Sequence, residues 1–353
     1  MATTVVRARR PTQWHRNCLF FAPERTLLVS PHWEHGRTFM RHAKWIGPSV
    51  VLLAGSAVQA APHKHQPPEN VVDLTTTPFT ISEPGTYVVD RDWALLTPDN
   101  GQAVIDITAS NVVLDLQGFE IAQDGSEGVM LVSIAGDGVT VRNGKLKGRR
   151  TSAVAFQSSG VGTVVDSVNV EDSANSFFEG NGAIIRSSQF EAKGGVHVDG
   201  TGSRIEHSDI RCDEGALAVG PGAEVRDNRI WGVRSESVML NGDKTIFRDN
   251  TVVNVQEFGA VIVAGSDDAI LENTIQFDTP EGTGPAILVA GTRNVIRGNL
   301  ALRSTAAGVP PRWGTGIAFQ QDGNFYGNNQ MAATVPFDLG GTVQTDWGGN
   351  FEY

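Results

Sequence analysis

Cysteine is scarce in this chain. Cys18 and Cys212 are the only two in 353 residues, which excludes a scaffold held together by disulfides. Positive charge is also short, with 28 Lys and Arg against 39 Asp and Glu and a formal net charge of -11. No basic face of the kind that neutralises phosphates stands out, so no nucleic-acid partner is expected. Charged residues reach only 19%, a profile that fits neither disorder nor a long helical array. No apolar run approaches the ~20 residues of a membrane helix, and no window shows the spacing of an amphipathic helix. What the chain does hold is 40 Gly, 16 Pro and many short runs of β-branched residues.

The first sixty residues differ from the rest. Residues 1–39 show no period, only clustered Arg7, Arg9 and Arg10 and scattered aromatics before Met40. They are read as unstructured and upstream of the true start. From Met40 the chain has Arg41 and Lys44, an apolar stretch from Trp45 to Val58, and a Val58-Gln59-Ala60 exit. That is the form of a secretory signal, so residues 40–60 are read as a signal peptide and the protein as secreted or periplasmic. The stretch is too short for a stable membrane span and contains Gly47, Pro48 and Gly55. Without residues 1–60 the chain carries 20 basic and 37 acidic residues and Cys212 alone. A His/Pro-containing linker, residues 61–75, follows. Residues 76–110 are read as an N-terminal cap with the first strands.

Beyond that point the chain repeats. The segments VRNGKL (141–146), VDSVNV (165–170), IRSSQF (185–190), IEHSDI (205–210), VRDNRI (225–230), FRDNTV (247–252), ILENTI (270–275) and IRGNLA (296–301) share an apolar-polar-apolar frame. Their fourth positions, Gly144 to Asn299, are spaced 24, 20, 20, 20, 22, 23 and 26 residues apart. A second run accompanies them, for example GVHVDG (195–200), GALAVG (215–220) and SVMLNG (237–242). Two or three strands per unit of about 22 residues, each unit one strand spacing along from the last, is how a parallel β-helix is built. The fold class is therefore all-β, a single-stranded right-handed parallel β-helix of about ten coils over residues 111–335, with residues 336–353 as a C-terminal cap. Asn228, Asn250, Asn273 and Asn299 are expected to form an internal ladder at a tight bend.

The repeats GVTVRNGKL, AEVRDNRI and TIFRDNTV, following NVVLDLQGFEI, resemble those of the pectin-lyase-like superfamily and of NosD-type and polysaccharide-associated β-helix proteins. The resemblance covers about residues 76–335. It implies a carbohydrate-active protein, a polysaccharide lyase, epimerase or glycoside hydrolase, or a non-catalytic glycan-binding or structural surface protein on the same fold. The paired-Asp and Gly-His-Gly set of polygalacturonases, the Asp-Pro-His-Glu of alginate epimerases and a clear Asp-His with Arg pair of pectate lyases are not found.

A solenoid stacks its outward side chains in columns, so chemistry is sought column by column. Aligning the first strand of each coil places Gln157, Glu179, Asp199, Val219 and Asn241 in one stack. Ala155, Phe177, His197, Leu217 and Met239 form another two residues earlier, on the same face. Glu179, His197 and Asp199 are the proposed catalytic centre. Two carboxylates one coil apart suit acid and base roles in hydrolysis. A His beside them suits proton abstraction in lysis or epimerisation. Gln157, Phe177, Lys193 and Asn241 are the proposed substrate-binding residues, with Arg211, Asp213 and Glu214 on the rim. No metal site is assigned and no cofactor is firmly implied. A Ca²⁺ held by Glu179 and Asp199 is the alternative to Lys193 as the group neutralising a uronate. The partner is a polysaccharide or oligosaccharide and the protein a monomer. The bland alternative is a solvated face that gathers these groups by chance. Arg186, Glu206 and Arg226 read as ion pairing between coils, and Cys212 as an unreactive thiol in an acidic turn.

Overall fold

The structure, a computed structural model, describes residues 70–96, 101–123, 128–148, 153–232, 237–254, 259–277, 284–303, 315–333 and 335–352. The expected start at Met40, the signal segment and residues 61–69 of the linker lie outside these residues. Every regular element among the described residues is a β-strand, and no helix there is long and apolar enough to cross a membrane.

All strand pairs are parallel and connect residues one coil apart, giving three ladders that run the length of the solenoid. The first includes Val154–Ser158, the end of Val164–Phe178, the end of Gln189–Val198, Leu217–Val219 and Val238–Leu240. The second includes Ile184–Arg186, Arg204–Glu206 and Glu224–Arg226. The third includes the start of Gln189–Val198, Asp209–Cys212 and Arg229–Gly232. Strands of the second and third ladders such as Arg204–Glu206, Asp209–Cys212 and Arg229–Gly232 bury alternate residues, as the period of two requires. The core is thus a set of columns: Val165, Ile185, Ile205, Val225 and Phe247 in the second ladder, and Val170, Phe190, Ile210, Ile230 and Val252 in the third, all buried. No coil can bury these residues alone, so each is stable only between its neighbours.

The three corners obey different rules. From the second ladder to the third the step between inward residues is five residues in coil after coil, from Val165 to Val170, Ile205 to Ile210 and Ile296 to Ala301. The reason lies in the bend. One residue takes the left-handed region there (His207, φ 51°; Asp227, φ 57°; Asp249, φ 57°; Glu272, φ 56°) and the next points inward. Those inward residues form the expected ladder. The backbone N–H and Nδ2 of Asn228 donate to Asn250 Oδ1 (3.0 and 3.1 Å), and Asn250 does the same to Asn273, Asn273 to Asn299 and Asn299 to Asn329. Ser188 and Ser208 continue it upstream and Asn350 downstream. The asparagines do not themselves hold positive φ. They serve because one buried amide accepts from the coil before and donates to a backbone carbonyl, as Asn273 Nδ2 does to Phe247 O (2.9 Å).

The corner from the third ladder back to the first absorbs the variation in coil length. The step is eight residues from Phe190 to Val198, nine from Ile210 to Val219, ten from Ile230 to Leu240, eleven from Val252 to Val263, fourteen from Ile275 to Val289 and eighteen from Ala301 to Phe319. Residues 335–338, 345–346 and 351–352, expected within a cap, pair in parallel with the preceding coil in all three ladders. Phe325 stacks on Trp347 there, with ring centroids 5.4 Å apart.

On the second ladder's outer face Asp115, Arg142, Asp166, Arg186, Glu206 and Arg226 stand in one column. Arg142 pairs with Asp115 (2.9 Å), Arg186 with Asp166 (2.7 Å) and Arg226 with Glu206. These pairs are partly exposed, and each contributes under about 1 kcal/mol. This face reads as structural. Cys212 is not in a turn: it ends a strand, points into the core and is fully buried, which pushes its thiol up to about 12.

Candidate functional site

The first ladder brings part of the expected centre together and separates part of it. Phe177 and His197 are direct partners on neighbouring strands. Their rings stack with centroids 5.0 Å apart and planes 17° apart, partly exposed on the outer face. The imidazole folds back over its own strand. A Cβ built on Gly195 would lie 3.1 Å from His197 Nε2 and 2.6 Å from Ala216 O of the next coil, so only glycine leaves room for both. Glu179 and Asp199 follow at the ends of the same two strands, both exposed, with their N–H groups donating to Ser158 O and Phe178 O one coil back. They therefore occupy equivalent places on consecutive rungs, with Cα atoms about 4.8 Å apart. Gln157 Nε2 donates to Glu179 Oε1 (3.4 Å).

The expected register needs two corrections. Gln157 partners Phe177, not Glu179, because the pairing slips between Val154 and Gln157. It joins the column of Phe177 and His197 instead. One coil later His197 partners Ala218, not Leu217, and Met239 partners Ala218. The ninth residue in the corner between Ile210 and Val219 shifts the strand by one, and a one-residue shift turns every side chain to the other face. Leu217 and Val219 are consequently core residues. The outward column continues as Ala218, Met239, Ile262, Leu288 and Ala318. Asn241 keeps the place of Glu179 and Asp199 two rungs further on, with Gly220 between, and is exposed. Lys193 stands at the corner before the His197 strand and pairs with Glu214 (3.5 Å).

Arg211 does not line this centre. It lies on the outer face of the third ladder beside Trp231, paired with Asp213 at 3.4 Å. Among the described residues no three His, Cys, Asp or Glu side chains are grouped to hold a metal. The most perturbed carboxyl is one that the repeat frame did not single out. Asp268 is buried in the corner between the first and second ladders. Burial above all, with Asp243 and Asp267 adding repulsion, pushes it up to about 7. Its Oδ1 accepts from Thr245 N (2.7 Å), while Oδ2 meets no partner. In the next coils the same place holds Asn294 and Asn324, whose Nδ2 groups donate to Gly265 O and Gly291 O.

Residues 132–301 match the family described as right handed beta helix region. No curated protein is significantly similar in sequence. Among solved structures, the A-module of the mannuronan C-5 epimerase AlgE6 of Azotobacter vinelandii is 14% identical, with a TM-score of 0.52 over 76% of this chain and 89% of that one. The Dettilon tailspike protein is 14% identical, with a TM-score of 0.54 over 80% of this chain and 60% of the tailspike. A tailspike of E. coli bacteriophage HK620, solved with a pentasaccharide, is 13% identical, with a TM-score of 0.53 over 76% and 60%. At these identities the likeness is one of fold. The match over residues 132–301 and the three parallel ladders give one fold, a right-handed parallel β-helix.

Proposed function

We propose that this is an exported carbohydrate-active protein that acts on a polysaccharide at the outer face of the first ladder, with Glu179, His197 and Asp199 as its centre. The observation that carries the reading is the partly exposed Phe177–His197 stack with two exposed carboxylates on consecutive rungs beside it. The ring pair offers a partly exposed apolar patch to a sugar, and two carboxylates one rung apart suit acid and base roles. The solved proteins of the same fold include an epimerase of mannuronan and a tailspike with a bound pentasaccharide, which supports the same class of ligand. The segment from Met40 to Ala60 supports export.

The test is a panel of polysaccharides incubated with the protein, with and without Ca²⁺, following unsaturated product by ultraviolet absorbance and new reducing ends chemically. Activity is expected to fall at least about a hundredfold in Glu179→Gln and in His197→Ala. Full activity in both variants places the chemistry elsewhere. A second reading, glycan binding without turnover, draws on the apolar column from Ala218 to Ala318, which continues the Phe177–His197 platform over further rungs. Binding with no product in any assay selects it.

A further inference from the structure

The outer face of the third ladder holds a shallow concavity of about 230 Å³, and a second of about 330 Å³ extends from it over the bend lined by Ser167, Ser187 and His207; the two share Gln189 and Asp209. Their sizes bracket the lower limit of ordinary ligand sites. They meet along one column, since Asn169, Gln189 and Asp209 are direct partners on three consecutive rungs. At one end stands Trp231, partnered with Arg211 on the preceding strand. The Arg229 guanidinium lies 4.3 Å from the centroid of the Trp231 ring and holds it in place.

We propose that this face is a separate, non-catalytic binding trough for a short neutral oligosaccharide, lying along the solenoid axis from Asn169 to Trp231. The chemistry is that of sugar recognition. An indole offers an apolar face to ring C–H groups, and next to it amide, carboxylate and guanidinium groups stand at rung spacing to meet hydroxyls. Neither Gln189 nor Asp209 has a side-chain hydrogen bond among the described residues. Asn169 donates to Glu171 (3.1 Å), while its Oδ1 meets no donor. Charge on this face is largely paired internally: Lys145 bridges Glu120 and Glu171 (2.9 and 2.8 Å) and Arg211 meets Asp213. Such a surface gives no net pull on a polyanion, and the acidic chain as a whole repels one. Three rung spacings separate Asn169 from Arg229, about 14 Å, the length of a short oligosaccharide rather than a single sugar. The inference takes its class of ligand from the proposed function, but the site is a different sheet and needs none of Glu179, His197 or Asp199.

The experiment is titration calorimetry of the full chain with neutral xylo-, cello-, manno- and malto-oligosaccharides, with oligogalacturonate as the anionic control. The expected result is that one neutral series binds. Trp231→Ala and Gln189→Ala then each weaken it about tenfold or more, while Glu179→Gln and His197→Ala leave it unchanged. Should Trp231→Ala fail to fold by circular dichroism, Asp209→Asn takes its place. Binding lost in His197→Ala but kept in Trp231→Ala and Gln189→Ala overturns the trough while leaving the proposed function standing. Preference for oligogalacturonate, or no binding across the neutral series, also overturns the trough. Turnover lost in Glu179→Gln with binding at the third ladder intact supports both.

Discussion

Asp268 occupies a position where the following two coils carry asparagine, and that difference has a calculable cost. Its carboxyl is pushed from 3.8 to about 7, chiefly by burial, with Oδ2 unpartnered. A buried carboxyl whose folded value is raised favours the folded state most when protonated. The benefit is complete below the unfolded value near 3.8, is lost as pH rises through about 7, and is gone above that. A shift of about three units at about 1.4 kcal/mol each gives a deficit near 4 kcal/mol at pH 8, an upper figure because relaxation around the charge would reduce it. Asp268→Asn puts an N–H donor where Asn294 and Asn324 have theirs, and it cannot ionise. In urea unfolding from pH 4 to pH 8.5, the variant and the parent should be nearly equal at pH 4. They should separate in favour of the variant between about pH 4 and 7 and stay apart above that, by a few kcal/mol. All other titrating groups are common to the two proteins and cancel in the difference. A gap that does not change with pH refutes the reasoning.

Asn273→Ala removes an acceptor that serves both the backbone N–H and Nδ2 of Asn250, and a donor to Phe247 O, all buried. It should cost about 3 kcal/mol in urea unfolding, whereas Asn350→Ala, at the partly exposed end of the same ladder, should cost about 1 kcal/mol. Gly195→Ala forces a methyl within 2.6 Å of Ala216 O and 3.1 Å of His197 Nε2. It should lower stability by about 1–3 kcal/mol and unstack His197 from Phe177, visible as a loss of ring-current shift on the imidazole protons. Cys212, buried and with its thiol pushed up to about 12, should resist a disulfide reagent at pH 8 in the folded protein. It should react within seconds once the chain is unfolded in urea.

How far the fold could be read from residues alone follows from the corners. The frame that repeats through VRDNRI, FRDNTV and ILENTI spans the bend between the second and third ladders, where the step is five residues in every coil from Val141–Leu146 to Tyr326–Met331, so its period was plain. The ion-pair column of Arg186, Glu206 and Arg226 ends at that bend and the asparagine ladder lies within it, so both were legible for the same reason. The first ladder comes after the corner of changing length, and there simple alignment put Leu217 where Ala218 stands and moved Gln157 by one pair. Phe177 and His197 survived because their two coils have equal corners of eight residues. Asp268 lies in neither of the repeated segments, and only its buried place among asparagines marks it. The trough around Trp231 combines side chains whose common outward face depends on register, and a lone Trp in IWG carries no sign of it.

The uneven corner has one more implication. Closing a segment of eighteen residues instead of eight across the same gap costs only about 0.7 kcal/mol in chain entropy. Moving the bend between the second and third ladders by a single residue would break a buried amide column. Grafted peptides or affinity tags therefore belong between Gly232 and Ser237, or between Arg303 and Thr315, where natural coils already differ in length.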